Sequence, residues 1–162
     1  MIKHLQKIAT FSLIITMYLF LQGCEGNSDV QSENLTGVWI SEGDNLSALQ
    51  PSVIDSMKIV FYQTGEFKMY TYMKNVSPVI YEGIYVVTQP PVGLCEWLEL
   101  VYHDGRVEEG LFQYLPGDEV SMETDLVQTV PDLGHILPNP ERGTGSSSLG
   151  PANVQIYVKI EY

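Results

Sequence analysis

From Met57 to Tyr162 apolar and polar residues alternate with a period of two, interrupted at short intervals by turn residues, and this pattern admits strands and little else. Met57, Ile59 and Phe61 alternate with Lys58, Val60 and Tyr62. Gln63-Thr64-Gly65-Glu66 then turns the chain, and Phe67, Met69 and Met73 follow with Lys68, Tyr70 and Tyr72 between them. Lys74 to Val79 reads as a loop, with Pro78 at the entry to a strand from Ile80 to Val87 in which Gly83 marks a bulge or a close approach. Gln89 to Gly93 breaks the chain. A strand from Cys95 to Tyr102 puts Leu98, Leu100 and Tyr102 on one face, Asp104-Gly105 turns into Val107 to Tyr114, and a short strand runs from Val120 to Asp125. Between Val130 and Asn153 four prolines and four glycines leave no room for a long element. Val154 to Ile160 alternates again and is placed to pair with a first strand near Val38.

About eight antiparallel strands and no amphipathic helix of useful length make this an all-β chain. The economical architecture is an up-and-down β-barrel, because closure removes the edges that invite aggregation. A two-sheet sandwich is the alternative.

The N-terminus reads as a leader. Lys3, His4 and Lys7 precede an apolar run from Ile8 to Leu21, shorter than the roughly 20 residues of a membrane-spanning helix. Leu21-Gln22-Gly23-Cys24 resembles the lipobox of bacterial lipoproteins. The resemblance implies a signal peptide over residues 1–23, acylation of Cys24 by chains such as palmitate, and a flexible polar tether over residues 24–34 ahead of a domain spanning residues 35–162. The expected partner of Cys24 is the membrane, and the expected address is the bacterial cell envelope. Glu25 after the cysteine, in place of Asp, favours the outer membrane by the enterobacterial sorting rule.

Without residues 1–23 the chain loses Lys3 and Lys7, leaving six Lys and Arg against twenty Asp and Glu, a net charge of −14. Nucleic-acid binding is therefore excluded as a reading, since it requires a clustered basic face. Once Cys24 is acylated only Cys95 remains, so no intrachain disulfide can form and the apolar core must hold the fold. Cys95 lies in an apolar stretch without basic neighbours and reads as a buried structural residue.

Leu35-Thr36-Gly37-Val38-Trp39 at the head of the domain resembles the Gly-x-Trp signature of the lipocalin and calycin superfamily, and Gly37 and Trp39 carry the motif. The following Phe61 to Phe67 hairpin and the Gly83 to Tyr85 segment are similar to those of small lipocalin-like domains on bacterial lipoproteins. The resemblance implies a late Arg packed across Trp39 at the closed end, for which Arg106 and Arg142 are the candidates.

In such a barrel the expected inward set is Met57, Ile59, Phe61, Phe67, Met69, Ile84, Val86, Leu98 and Leu100. These residues either wall a pocket for a small apolar ligand or fill a solid core, because eight strands enclose just enough room for side chains. His103, Asp104, Arg106, Glu108 and Glu109 read as a solvated hairpin tip, with the two glutamates on opposite faces of a strand. No zinc, calcium-loop, phosphate-loop or nucleophile-elbow pattern is present, so neither a catalytic set nor a cofactor is expected. The outer tyrosines Tyr62, Tyr70, Tyr72, Tyr81 and Tyr157 are the expected face for an envelope protein, the second partner class.

Overall fold

A computed structural model describes residues 35–117 and 120–161. The expected signal peptide (residues 1–23), the expected tether (24–34) and Cys24 lie outside the described residues. Eight antiparallel strands close into a barrel in chain order: β1 (Gly37–Glu42), β2 (Ile54–Phe61), β3 (Glu66–Met73), β4 (Val76–Thr88), β5 (Glu96–Tyr102), β6 (Val107–Leu115), β7 (Ser121–Val130) and β8 (Gln155–Glu161). Closure comes from β8, which pairs with β7 on one side and β1 on the other. The expected all-β up-and-down barrel is therefore the observed fold, and it is compatible with a lipocalin-like architecture.

Turn chemistry sets the hairpins. Gly65 and Gly105 adopt φ of 85° and 90° in the β2–β3 and β5–β6 turns, where a side chain would be strained. The segment expected to loop from Lys74 to Val79 is instead a two-residue turn, with Asn75 at φ 59° and strand resuming at Val76. Asn is among the few non-glycine residues that accept this conformation, so the hairpin is tighter than its proline suggests. Pro78 is tolerated because the early part of β4 pairs only with β3, whereas β5 joins from Gly83 onward.

Two ends can be told apart. The lower end carries the β2–β3, β4–β5 and β6–β7 turns; the upper end carries the β3–β4 and β5–β6 turns and the long 131–154 connection. That connection is not adrift. Asp125, fully buried on the outer side of β7, accepts hydrogen bonds from the backbone amides of Gly145 (2.9 Å) and Ser147 (3.1 Å), and from Asn153 Nδ2 (2.9 Å). Three donors around one carboxylate fold the loop onto the barrel wall.

Candidate functional site

The interior is the first place to look for a site, and its solvent exposure changes along the axis. At the lower end Trp39, Phe112, Leu98, Phe61 and Met122 are 0–1% exposed. Trp39 Nε1 donates to the carbonyl of Leu35 at 2.7 Å, and Tyr114 lies with its ring centroid 6.1 Å away. The cation across Trp39 is Lys159, 5.2 Å from the ring, and neither Arg106 nor Arg142 takes that place. Arg106 sits in the upper β5–β6 turn and Arg142 in the long connection, whereas β8 pairs Lys159 with Trp39 directly. Burial lowers the Lys159 pKa. Glu96 Oε2 and Tyr114 Oη are also buried here, without a hydrogen-bond partner among the described residues, and desolvation pushes both pKa values up.

Of the expected inward set, Met57, Ile59, Phe61, Phe67, Met69, Leu98 and Leu100 lie in the core. Ile84 and Val86 do not: they face outward, 49% and 44% exposed, and Tyr85 takes the interior position between them. The error has a physical source. β4 is apolar on both faces, so alternation alone cannot choose one. The choice is made at Gly83, where an added Cβ would stand 2.1 Å from the Val101 carbonyl oxygen and 2.8 Å from the Phe67 ring. Only glycine lets the wall close inward at that point, which aligns Tyr81 and Tyr85 with the inside and turns Ile84 and Val86 out. Tyr157, expected on the outer face, is likewise interior and 6% exposed.

Toward the upper end several interior residues become slightly more exposed to solvent. Met57, Met69 and Thr71 retain 7–8% exposure, and Tyr81, Glu108 and Leu126 are half-buried. Here His103 and Asp104 stay exposed as a hairpin tip should, while Arg106 and Glu108 turn inward. Arg106 folds back between two aromatic faces, its guanidinium 4.5 Å from the Tyr81 centroid and 4.3 Å from that of Tyr102. Its Nε hydrogen-bonds Asp104 Oδ2 at 3.0 Å, Nη1 is 4.0 Å from Glu108 Oε1, and the buried Nη2 lacks a partner among the described residues. Tyr102 donates its hydroxyl to Glu108 Oε2 at 2.8 Å.

Glu108 keeps 25% of its side chain exposed, its carboxyl lies against the Tyr102 hydroxyl and Arg106, and desolvation raises its pKa above the usual carboxylate range. Glu109, on the opposite face, accepts from Thr129 Oγ1 at 2.7 Å. The upper end is thus a polar lip of Arg, Glu and Tyr over a floor of Met and Leu. Sequence reasoning placed this cluster in solvent because the Asp104-Gly105 turn is a surface signal; the clue to its burial was Tyr81 and Tyr102, which supply the faces an arginine stacks on.

On the outer wall Cys95 is buried, its thiol 3.4 Å from Gln113 Oε1, and burial pushes its pKa up. Among the described residues no group of three or more His, Cys, Asp and Glu could hold a metal ion. Comparison with family models, with curated proteins and with solved structures found no match.

Proposed function

We propose that the chain is a bacterial cell-envelope lipoprotein, anchored through acylated Cys24 and addressed to the outer membrane, whose lipocalin-like barrel binds one small hydrophobic ligand at its upper end. The observation that carries this reading is the rise in solvent exposure along the axis, from 0–1% around Trp39 to 7–8% at Met57, Met69 and Thr71. A ligand's apolar body would lie against Met57, Met69 and Leu126, where thioether side chains adapt to irregular shapes. Its polar end would meet Arg106 and Glu108.

The test is a titration of residues 25–162 with an apolar fluorescent probe, followed by competition with envelope lipid extract. Saturation near one probe per chain is expected, with displacement by the extract and loss of binding in Leu126→Trp, which fills the upper end. A folded wild-type sample that binds no probe ends this reading. It would favour a second one, an envelope protein-interaction or inhibitor module with a filled barrel. That alternative is supported by the defined shape in which Asp125 holds the 131–154 connection. Fractionation of cells carrying Cys24→Ser tests the anchor separately, and retention in the membrane at unchanged mass would exclude it.

A further inference from the structure

The outer face of β2 to β4 differs from the rest of the surface. Along β4 the outward residues Val76, Ile80, Ile84 and Val86 are 60%, 51%, 49% and 44% exposed. Beside them Tyr70, paired in register with Ile80, stacks against Tyr72 at 6.3 Å. These aliphatic side chains add nothing to the core, which the alternate residues of β4 already supply. Polar residues would serve a strand face in water as well.

The charge of this face is equally distinct. Between residues 54 and 88 Lys58, Lys68 and Lys74 stand against Asp55, Glu66 and Glu82, a balance of zero, while the chain after residue 23 carries −14. Four of these six charges pair in place. Lys68 Nζ lies 2.7 Å from Glu82 Oε1, and Lys74 Nζ lies 3.7 Å from Asp55 Oδ1. Lys58 sits over the Tyr70 ring at 4.3 Å. An otherwise acidic domain therefore has one side of zero net charge that bears aliphatic and tyrosine side chains.

We propose that this side docks on a phospholipid bilayer. Aliphatic side chains gain by leaving water, tyrosine rings favour the headgroup level, and lysine stems can lie along apolar surface with the ammonium in water. The acidic remainder is repelled by anionic lipid, so this is the face that can approach. The proposal rests on the Cys24 anchor for its setting. Eleven residues from Cys24 to Leu35 reach at most about 40 Å, so the domain never leaves the surface and weak contact suffices. Docking in this pose also sets the β3–β4 hairpin, and with it the upper end, beside the lipid.

All eight strands lie within residues 37–161, so residues 25–162 carry the whole barrel. The experiment tethers that protein by an N-terminal hexahistidine to phosphatidylcholine–phosphatidylglycerol vesicles containing a nickel-chelating lipid, with an environment-sensitive fluorophore on Ile84→Cys or on Leu133→Cys. Cys95 is buried and stays unlabelled. Brominated acyl chains should quench the label at 84 and shift its emission to the blue, leaving the label at 133 unchanged. Quenching at both positions or at neither overturns the proposal. So does a blue shift at 84 that grows with protein density but is insensitive to bromine, since a second copy would then be the occupant. The chelator imposes the tether, so these outcomes are independent of whether Cys24 is acylated.

Discussion

The Lys159 ammonium lies 5.2 Å from the centre of the Trp39 ring, on two residues that pair across the β1–β8 seam where the barrel closes. The contact joins the first strand to the last, and the Trp39 hydrogen bond to the Leu35 carbonyl seals the same end from below. Both residues thus act on closure itself.

Trp39→Ala should cost about 3–5 kcal/mol, the usual range for deleting a large buried aromatic. Lys159→Ala should cost about 0.5–2 kcal/mol through the lost ring contact. The 74% exposed Lys74 provides the control, with Lys74→Ala expected within about 0.5 kcal/mol of wild type. Urea denaturation followed by circular dichroism measures all three. Equal, small effects at Lys159 and Lys74 would show that the seam contact contributes nothing.

Alternation and turn residues made the barrel legible, because closure requires every strand to show one apolar face and the turns Gln63 to Glu66 and Asp104-Gly105 announce themselves locally. What was not legible depends on long-range geometry. The inward face of β4 is decided by the approach of Gly83 to Val101, a neighbour eighteen residues on. The cation over Trp39 comes from the last strand, whose partner is fixed only once the barrel closes. Arg106 and Glu108 looked solvated because their partners come from other strands, Tyr81 of β4 and Tyr102 of β5 against Arg106 and Tyr102 against Glu108.

The β4 register yields a sharp contrast. Tyr85→Ala removes a ring that packs edge-on against Phe61 at 4.9 Å and should cost about 3–5 kcal/mol. Ile84→Thr, one residue away and facing water, should stay within about 0.5 kcal/mol. Gly83→Ala forces a Cβ against backbone and should cost at least about 1–3 kcal/mol, as overpacking does. Thermal melts of the three variants suffice, and an Ile84→Thr loss matching that of Tyr85→Ala would reverse the assigned face.

Asp125→Ala should free the 131–154 connection without opening the barrel. Two backbone amides and the Asn153 amide lose a buried carboxylate, and each hydrogen bond to a charged group is worth about 1.5–3 kcal/mol. Limited proteolysis should then cut within residues 131–153 in the variant and spare the wild type, with the far-ultraviolet dichroism of the strands retained. Identical digestion of both proteins would mean that other contacts hold the loop.

The last prediction concerns pH. Desolvation is the largest influence on Glu108 and raises its pKa; the Tyr102 hydrogen bond and Arg106 oppose it, and Asp104 adds to it. Because the folded pKa lies above that of the unfolded chain, the folded protein retains a proton that the unfolded chain has already released. The stability this group contributes is therefore complete below the ordinary glutamate pKa of about 4.3 and is lost as pH rises through the folded value. As pH rises, ionising Glu108 places a poorly solvated charge on the folded protein. Glu108→Gln keeps an acceptor for the Tyr102 hydroxyl and removes that charge, so it should melt above wild type at pH 7.5, and the two curves should converge below pH 4. Tyr102→Phe does the opposite, stripping the Glu108 carboxyl of its 2.8 Å donor at a cost of about 0.5–3 kcal/mol. Melting of Glu108→Gln below wild type at pH 7.5 would show that attraction to Arg106, 4.0 Å away, outweighs the cost of burial.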